Sequence, residues 1–92
     1  MPKIAVYKFL TFYIFAYDAL NEPPHLHIAK EKGSRQRSAK IWLKTFEVAD
    51  RGSLTDTDLN QALRLMKNNQ QILIDAFSKV KEGKKITTLK LK

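Results

Sequence analysis

Two histidines stand two residues apart in the stretch Asn21-Glu22-Pro23-Pro24-His25-Leu26-His27, and the chain has no others. Imidazole is the one side chain whose unperturbed pKa falls near neutral pH, so a His-x-His pair can both donate and accept protons under ordinary conditions. If residues 25–30 form a β-strand, the two rings share a face with their Cα atoms roughly 6.5 to 7 Å apart. That geometry suits three uses. Both imidazoles could ligate one metal ion, with Asp18, Glu22 or Glu31 as the third ligand of a catalytic zinc. They could serve as general acid and base on either side of a phosphodiester, with Lys30, Arg35 or Arg37 as the stabilising cation. Or the rings could hydrogen-bond the loop backbone and fix a corner. No acidic residue stands at a spacing that demands a metal, and no nucleophile, base and cation set is dictated by spacing, so the three uses stay open.

A second constellation follows in Lys40-Ile41-Trp42-Leu43-Lys44. On a strand, Lys40, Trp42 and Lys44 point away from the face that Ile41 and Leu43 bury. A tryptophan flanked by lysines resembles a stacking platform with a phosphate contact on each side. The plainer alternative is a Trp42 packed beneath the loop at 45–55 or beneath a partner. Lys30, Lys32, Arg35 and Arg37 lie just before it, the arginines at a rim near Gly33 where they could meet phosphate bidentately.

Charge supports the same reading. The chain carries 17 basic and 9 acidic residues, a net +8, unevenly placed. Residues 30–51 hold seven basic and three acidic side chains, residues 79–92 hold six and one, and residues 52–78 are close to neutral. Such a balance favours polyanions (RNA, DNA or an acidic protein), although a solvated basic face that keeps a small domain soluble gives the same composition.

The elements that must position these residues can be read from periodicity. Residues 3–10 and 11–17 alternate as two antiparallel strands, although no Gly or Asn marks a turn near Leu10 and Thr11. Pro23 and Pro24 remove backbone donors and push the chain to extended geometry, so a third strand follows over 25–30. A turn at Gly33 leads to a fourth strand over 35–43. Thr55, with Asp56 and Asp58 behind it, is a helix N-cap with a capping-box-like arrangement. From there Leu59, Leu63, Met66, Leu73, Phe77 and Val80 form one apolar stripe whose phase runs on across Asn68 and Asn69. The pattern predicts one helix over about 56–81, stopped at Gly83. The expected architecture is therefore α+β: a small antiparallel sheet of about four strands within residues 3–44, covered by one long helix. Residues 1–83 form a single domain, and 84–92 a basic tail or an extra edge strand whose lysines discourage further pairing.

Composition narrows the classes. At 92 residues and 43% hydrophobic, the chain is one folded domain and not a disordered segment. Without cysteine it has neither disulfides nor thiolate metal sites, which fits a reducing cytoplasm. The apolar N-terminal stretch is interrupted by Lys8 and closed by Asp18, too short for a membrane helix and without the cleavage pattern of a signal peptide.

The order "NEPPHLHIAKEKG", then "AKIWL", then a late amphipathic helix resembles the family of small bacterial proteins known as domain of unknown function 4160. Its members share a PPHxH corner, a glycine a few residues on, an Ala-Lys-x-Trp-Leu-like strand and a closing helix. The likeness runs over roughly residues 1–82. Phe77 stands where the family often has tryptophan, and the lysine-rich tail from Lys84 lies outside the pattern. The resemblance implies a compact α+β protein without an assigned reaction, often encoded beside a second small protein as in toxin–antitoxin pairs.

These readings lead to a small basic cytoplasmic protein that interacts with RNA or DNA through Lys30, Lys32, Arg35, Arg37, Lys40, Trp42 and Lys44. A small partner protein is expected, with no membrane association, no metal and no cofactor. Two alternatives belong to other classes: a metal-independent RNase using His25 and His27, and a protein-interaction module without catalysis.

Overall fold

Alternation of apolar side chains builds the sheet. In the computed structural model, which describes residues 3–15, 21–30 and 38–91, the strands are β1 (Lys3–Tyr7), β2 (Leu10–Tyr13), β3 (His25–Lys30), β4 (Ala39–Trp42), β5 (Val48–Asp50) and β6 (Leu89–Lys90). They lie in the order β5-β4-β3-β2-β1-β6. All neighbours are antiparallel except β6, which pairs parallel with β1 through Ala5↔Leu89 and Val6↔Lys90. The α+β class matches expectation, but the sheet is mixed and has six strands where about four antiparallel ones were predicted. β6 is the extra edge strand that residues 84–92 allowed as an alternative to a tail, and neither edge carries a strong local signal. β5 is three exposed residues with no apolar alternation to mark them, and β6 is two residues held by pairing with β1.

One face of the sheet makes the core. Phe12 lies opposite Ile28, Leu26 opposite Ile41 and Ile28 opposite Ala39, and all are fully buried. Each buried Leu or Ile contributes roughly 1.5–3 kcal/mol of apolar transfer. Ala62, Leu65, Met66 and Leu73 from the helices join the same cluster.

The helical segment is two helices, α1 (Asp56–Asn68) and α2 (Gln70–Lys81), not one. The break is the single residue Asn69, at φ −127° and ψ 22°. Its side-chain amide donates to the Leu65 carbonyl at 2.8 Å, where its own backbone N–H also donates at 3.1 Å. A short polar side chain that competes for a helical carbonyl disfavours continuation. Because only one residue leaves the helix, the apolar stripe keeps its phase across the break, and periodicity alone could not reveal it. The start and stop are as predicted. Thr55 and Asp58 form a reciprocal capping box, with backbone-to-side-chain bonds of 3.2 and 3.1 Å. At the far end Gly83, at φ 75°, lets Gly83 N–H reach the Val80 carbonyl and Lys84 N–H reach that of Lys79.

Two hairpin tips place ordinary residues in left-handed backbone. Lys8 (φ 50°) starts the two-residue turn between β1 and β2, and Phe46 (φ 63°) closes the turn between β4 and β5.

Candidate functional site

The proline corner is tied to the sheet by its carbonyls. Prolines 23 and 24 donate no hydrogen bond, so their oxygens carry the connections. His25 Nδ1–H donates to the Pro23 carbonyl at 2.9 Å, and Leu43 N–H donates to the Pro24 carbonyl at 2.9 Å. Glu22 forms an ion pair with Lys40 on β4. Glu22 and Pro24 thus tie the entry of β3 to β4 and the residue after it, while Pro23 is bonded back to His25 within the corner. Since a carbonyl only accepts, it is the Nδ1 nitrogen of His25 that carries a proton.

The two histidines share one face, as alternation requires. Their ring centroids are 5.2 Å apart, edge to face. His25 lies opposite Trp42 and His27 lies opposite both Lys40 on β4 and Tyr13 on β2. The rings meet aromatic neighbours on all these sides. His27 stacks on Tyr13 at 5.9 Å and meets the edge of Phe15 at 4.5 Å. His25 meets Trp42 and, from α2, Phe77, each at 5.5 Å. The outcome is enclosure: His25 is fully buried and His27 is 9% exposed. Among the described residues no three histidine, aspartate or glutamate side chains gather to hold a metal.

The basic residues picked out by the sequence divide between the two faces. Lys40 and Trp42 stand on the histidine face, with the Lys40 ammonium 4.7 Å from the Trp42 ring centroid. Trp42 is half-buried, and Lys44 is exposed in the turn beyond it. Lys30 alternates with Ile28 and Leu26, so it belongs to the face opposite the histidines, where its ammonium lies 2.7 Å from the Asp58 carboxylate of α1. Partial burial alone would raise the Asp58 pKa. The Lys30 ion pair, the Thr55 N–H and the Thr55 hydroxyl outweigh it and hold the carboxyl below its ordinary 3.8. Lys32, Arg35 and Arg37, like Asp18 and Glu31, lie outside the described residues.

Tyr13, Phe15 and Phe77 complete the cluster around the histidines, and sequence reasoning did not join them to it. Their placement depends on strand pairing and on helix docking, which are non-local. Glu22, a candidate metal ligand by residue type, instead pairs from the loop with Lys40 of β4, 18 residues away in sequence.

Fold and site together define a small α+β domain organised by a proline–histidine corner and an adjoining Lys-x-Trp strand. A family model described as "Domain of unknown function (DUF4160)" matches residues 10–78, which take in the corner, the strand and most of both helices, and the chain belongs to this family. No curated protein and no solved structure matches it significantly. No helix among the described residues is long and apolar enough to cross a membrane.

Proposed function

We propose that this protein binds nucleic acid through the Trp42 side of β4, and that it acts with a small protein partner in a two-gene, toxin–antitoxin-like arrangement. The observation that carries the binding half is the pairing of a half-buried Trp42 with the Lys40 ammonium 4.7 Å from its ring. The pair sits beside exposed Lys44 in a chain of net charge +8. An indole face offers stacking to any base, and the lysines offer phosphate contacts on either side. Glu22 orients Lys40 in the free protein. The pair is part-buried, so a phosphate reaching Lys40 would have to take the carboxylate's place. Lys32, Arg35 and Arg37 add basic charge along the same stretch of sequence. The partner half rests on the family resemblance alone.

The test is a titration of RNA and DNA oligonucleotides at several salt concentrations. Binding should weaken linearly on a log–log salt plot, and further in Trp42→Ala and in the double variant Arg35→Ala/Arg37→Ala. Absence of binding at low salt removes the reading. A second reading, the metal-independent RNase, draws support from the 5.2 Å contact between the two imidazoles; the burial of both rings weighs against it.

A further inference from the structure

A cleft of roughly 350 Å³ opens between the β1–β2 turn, the end of β3 and the first turns of α1, lined by Lys8, Phe9, Leu10, Lys30, Asp58 and Gln61. We infer that this cleft is a second nucleic-acid subsite, in which Phe9 stacks one unpaired base of a single strand and Lys8 meets its phosphate. The inference rests on the nucleic-acid reading above but uses a different surface.

The turn itself is the first argument. A two-residue hairpin tip ordinarily takes Gly, Asn or Asp, because positive φ costs them little. Here Lys8 adopts φ 50° and is followed by Phe9, a large aromatic left 63% exposed. Neither choice serves folding: the first strains the backbone, and the second leaves an apolar ring in water. Backbone outliers of this kind collect at binding sites, where local strain is retained for function.

Charge is the second argument. The one acidic group lining the cleft, Asp58, already accepts from Lys30 and from Thr55 N–H. Lys8 is left as a cation on the rim, 5.4 Å from the Tyr7 ring centroid. Arg64 of α1 lies 5.7 Å from the same ring, donates to the Tyr7 hydroxyl at 3.4 Å and is exposed. The cleft lining itself carries two cations, Lys8 and Lys30, against the single carboxylate of Asp58, and fits an anion. An anion with a flat apolar face is a nucleotide, and Gln61 brings a side-chain amide that can both donate to and accept from a base edge. The volume lies at the small end of ligand sites, which suits one nucleotide and excludes a duplex.

The cleft and Trp42 can be tested separately. Lys30 and His25 close opposite ends of β3, roughly 16 Å apart along the strand, and they face opposite sides of the sheet.

The experiment measures binding of fluorescently labelled oligouridylate and oligothymidylate of about ten nucleotides, within the usual range of single-strand site sizes, to the full chain at low salt. Phe9→Ala and Phe9→Leu should each weaken binding roughly 5- to 150-fold, the loss of one stacked base, whereas Phe9→Trp should retain it. Lys8→Gln should lower the salt slope by about one phosphate contact. Thermal midpoints of the Phe9 variants should match wild type, since the ring is exposed. If Phe9→Ala and Phe9→Leu bind as wild type while Trp42→Ala is impaired, the cleft inference fails and the platform reading stands. If wild type binds neither oligonucleotide, both fall. Free uridine monophosphate competing as well as the strand would overturn the strand as occupant.

Discussion

The Nδ1–H of His25 donates to the carbonyl of Pro23, two residues back, at 2.9 Å. This bond gives the Pro-Pro-His sequence a structural purpose. Two prolines supply carbonyls without N–H groups, and the imidazole that follows closes the loop on itself while its ring fills the space between Trp42 and Phe77. His25→Ala removes a buried ring and leaves that carbonyl without its partner, a loss of about 2–5 kcal/mol. His25→Asn should cost less, because its amide can still donate. Urea midpoints of the three proteins check the order wild type, Asn, Ala; an Ala variant as stable as wild type would refute the corner's role.

The ion pair between Lys30 and Asp58 makes part of the stability depend on acid. The Asp58 carboxyl has its pKa lowered in the folded state. Its contribution is therefore complete above the ordinary value of 3.8 and disappears as the pH falls below it through the folded-state pKa. Asp58→Asn loses the ion pair with Lys30 and replaces the charged acceptor of the capping box by a neutral amide oxygen. At neutral pH it should be destabilised by about 1 kcal/mol, or roughly 4–8 °C in thermal midpoint for a domain of this size. Below the carboxyl's folded-state pKa the gap between the two proteins should close. A gap that persists unchanged into acid would show that the carboxylate charge contributes nothing.

Periodicity located β3, the N-cap at Thr55, the stop at Gly83 and the buried stripe of both helices, because each of these is set by neighbours in sequence. It missed β5, and it left β6 as an alternative to a loose tail, because these few residues are strands only by virtue of their pairing partners. It also merged α1 and α2, since a one-residue break at Asn69 does not alter the phase of Leu63, Met66, Leu73 and Phe77, and it did not single out the fully buried Leu65. For the site, alternation put His25 with His27 and Lys40 with Trp42 on shared faces. That these four meet on the same face, and that Lys30 does not, follows from the register His25↔Trp42 and His27↔Lys40. Register depends on the turn residues between strands, and those of β1–β2 and β4–β5 carry Lys8 and Phe46 at positions where turn chemistry would call for glycine.

That departure from turn chemistry can be measured. An L-residue in left-handed backbone costs roughly 1–2 kcal/mol, of which the greater chain freedom of glycine in the unfolded state returns about half. Lys8→Gly should therefore raise the thermal midpoint by a few degrees, corresponding to about 0.5–1 kcal/mol. If the cleft binds a single strand, the same variant should lose one phosphate contact. A more stable protein with a shallower salt slope is the expected pair of results; a lower midpoint would show that the Lys8 side chain stabilises the turn.

His27 decides between binding and catalysis. Its ring lies against Tyr13 and Phe15 and is 9% exposed. A general base must come within hydrogen-bond reach of the proton it removes, so a scissile phosphate could approach His27 only if Tyr13 or Phe15 moved aside. His25 is further committed, through Nδ1, to Pro23. The binding reading therefore expects purified wild type and His27→Gln to show the same background cleavage of labelled RNA. Glutamine keeps a polar group of similar reach at the site without a titratable nitrogen, so folding can be checked by the thermal midpoint in the same samples. Proton transfer by a positioned side chain accelerates reactions about 10²–10⁴-fold. A drop of that size in His27→Gln, with the midpoint unchanged, would establish the enzyme reading and make the aromatic enclosure a gate over the histidine pair.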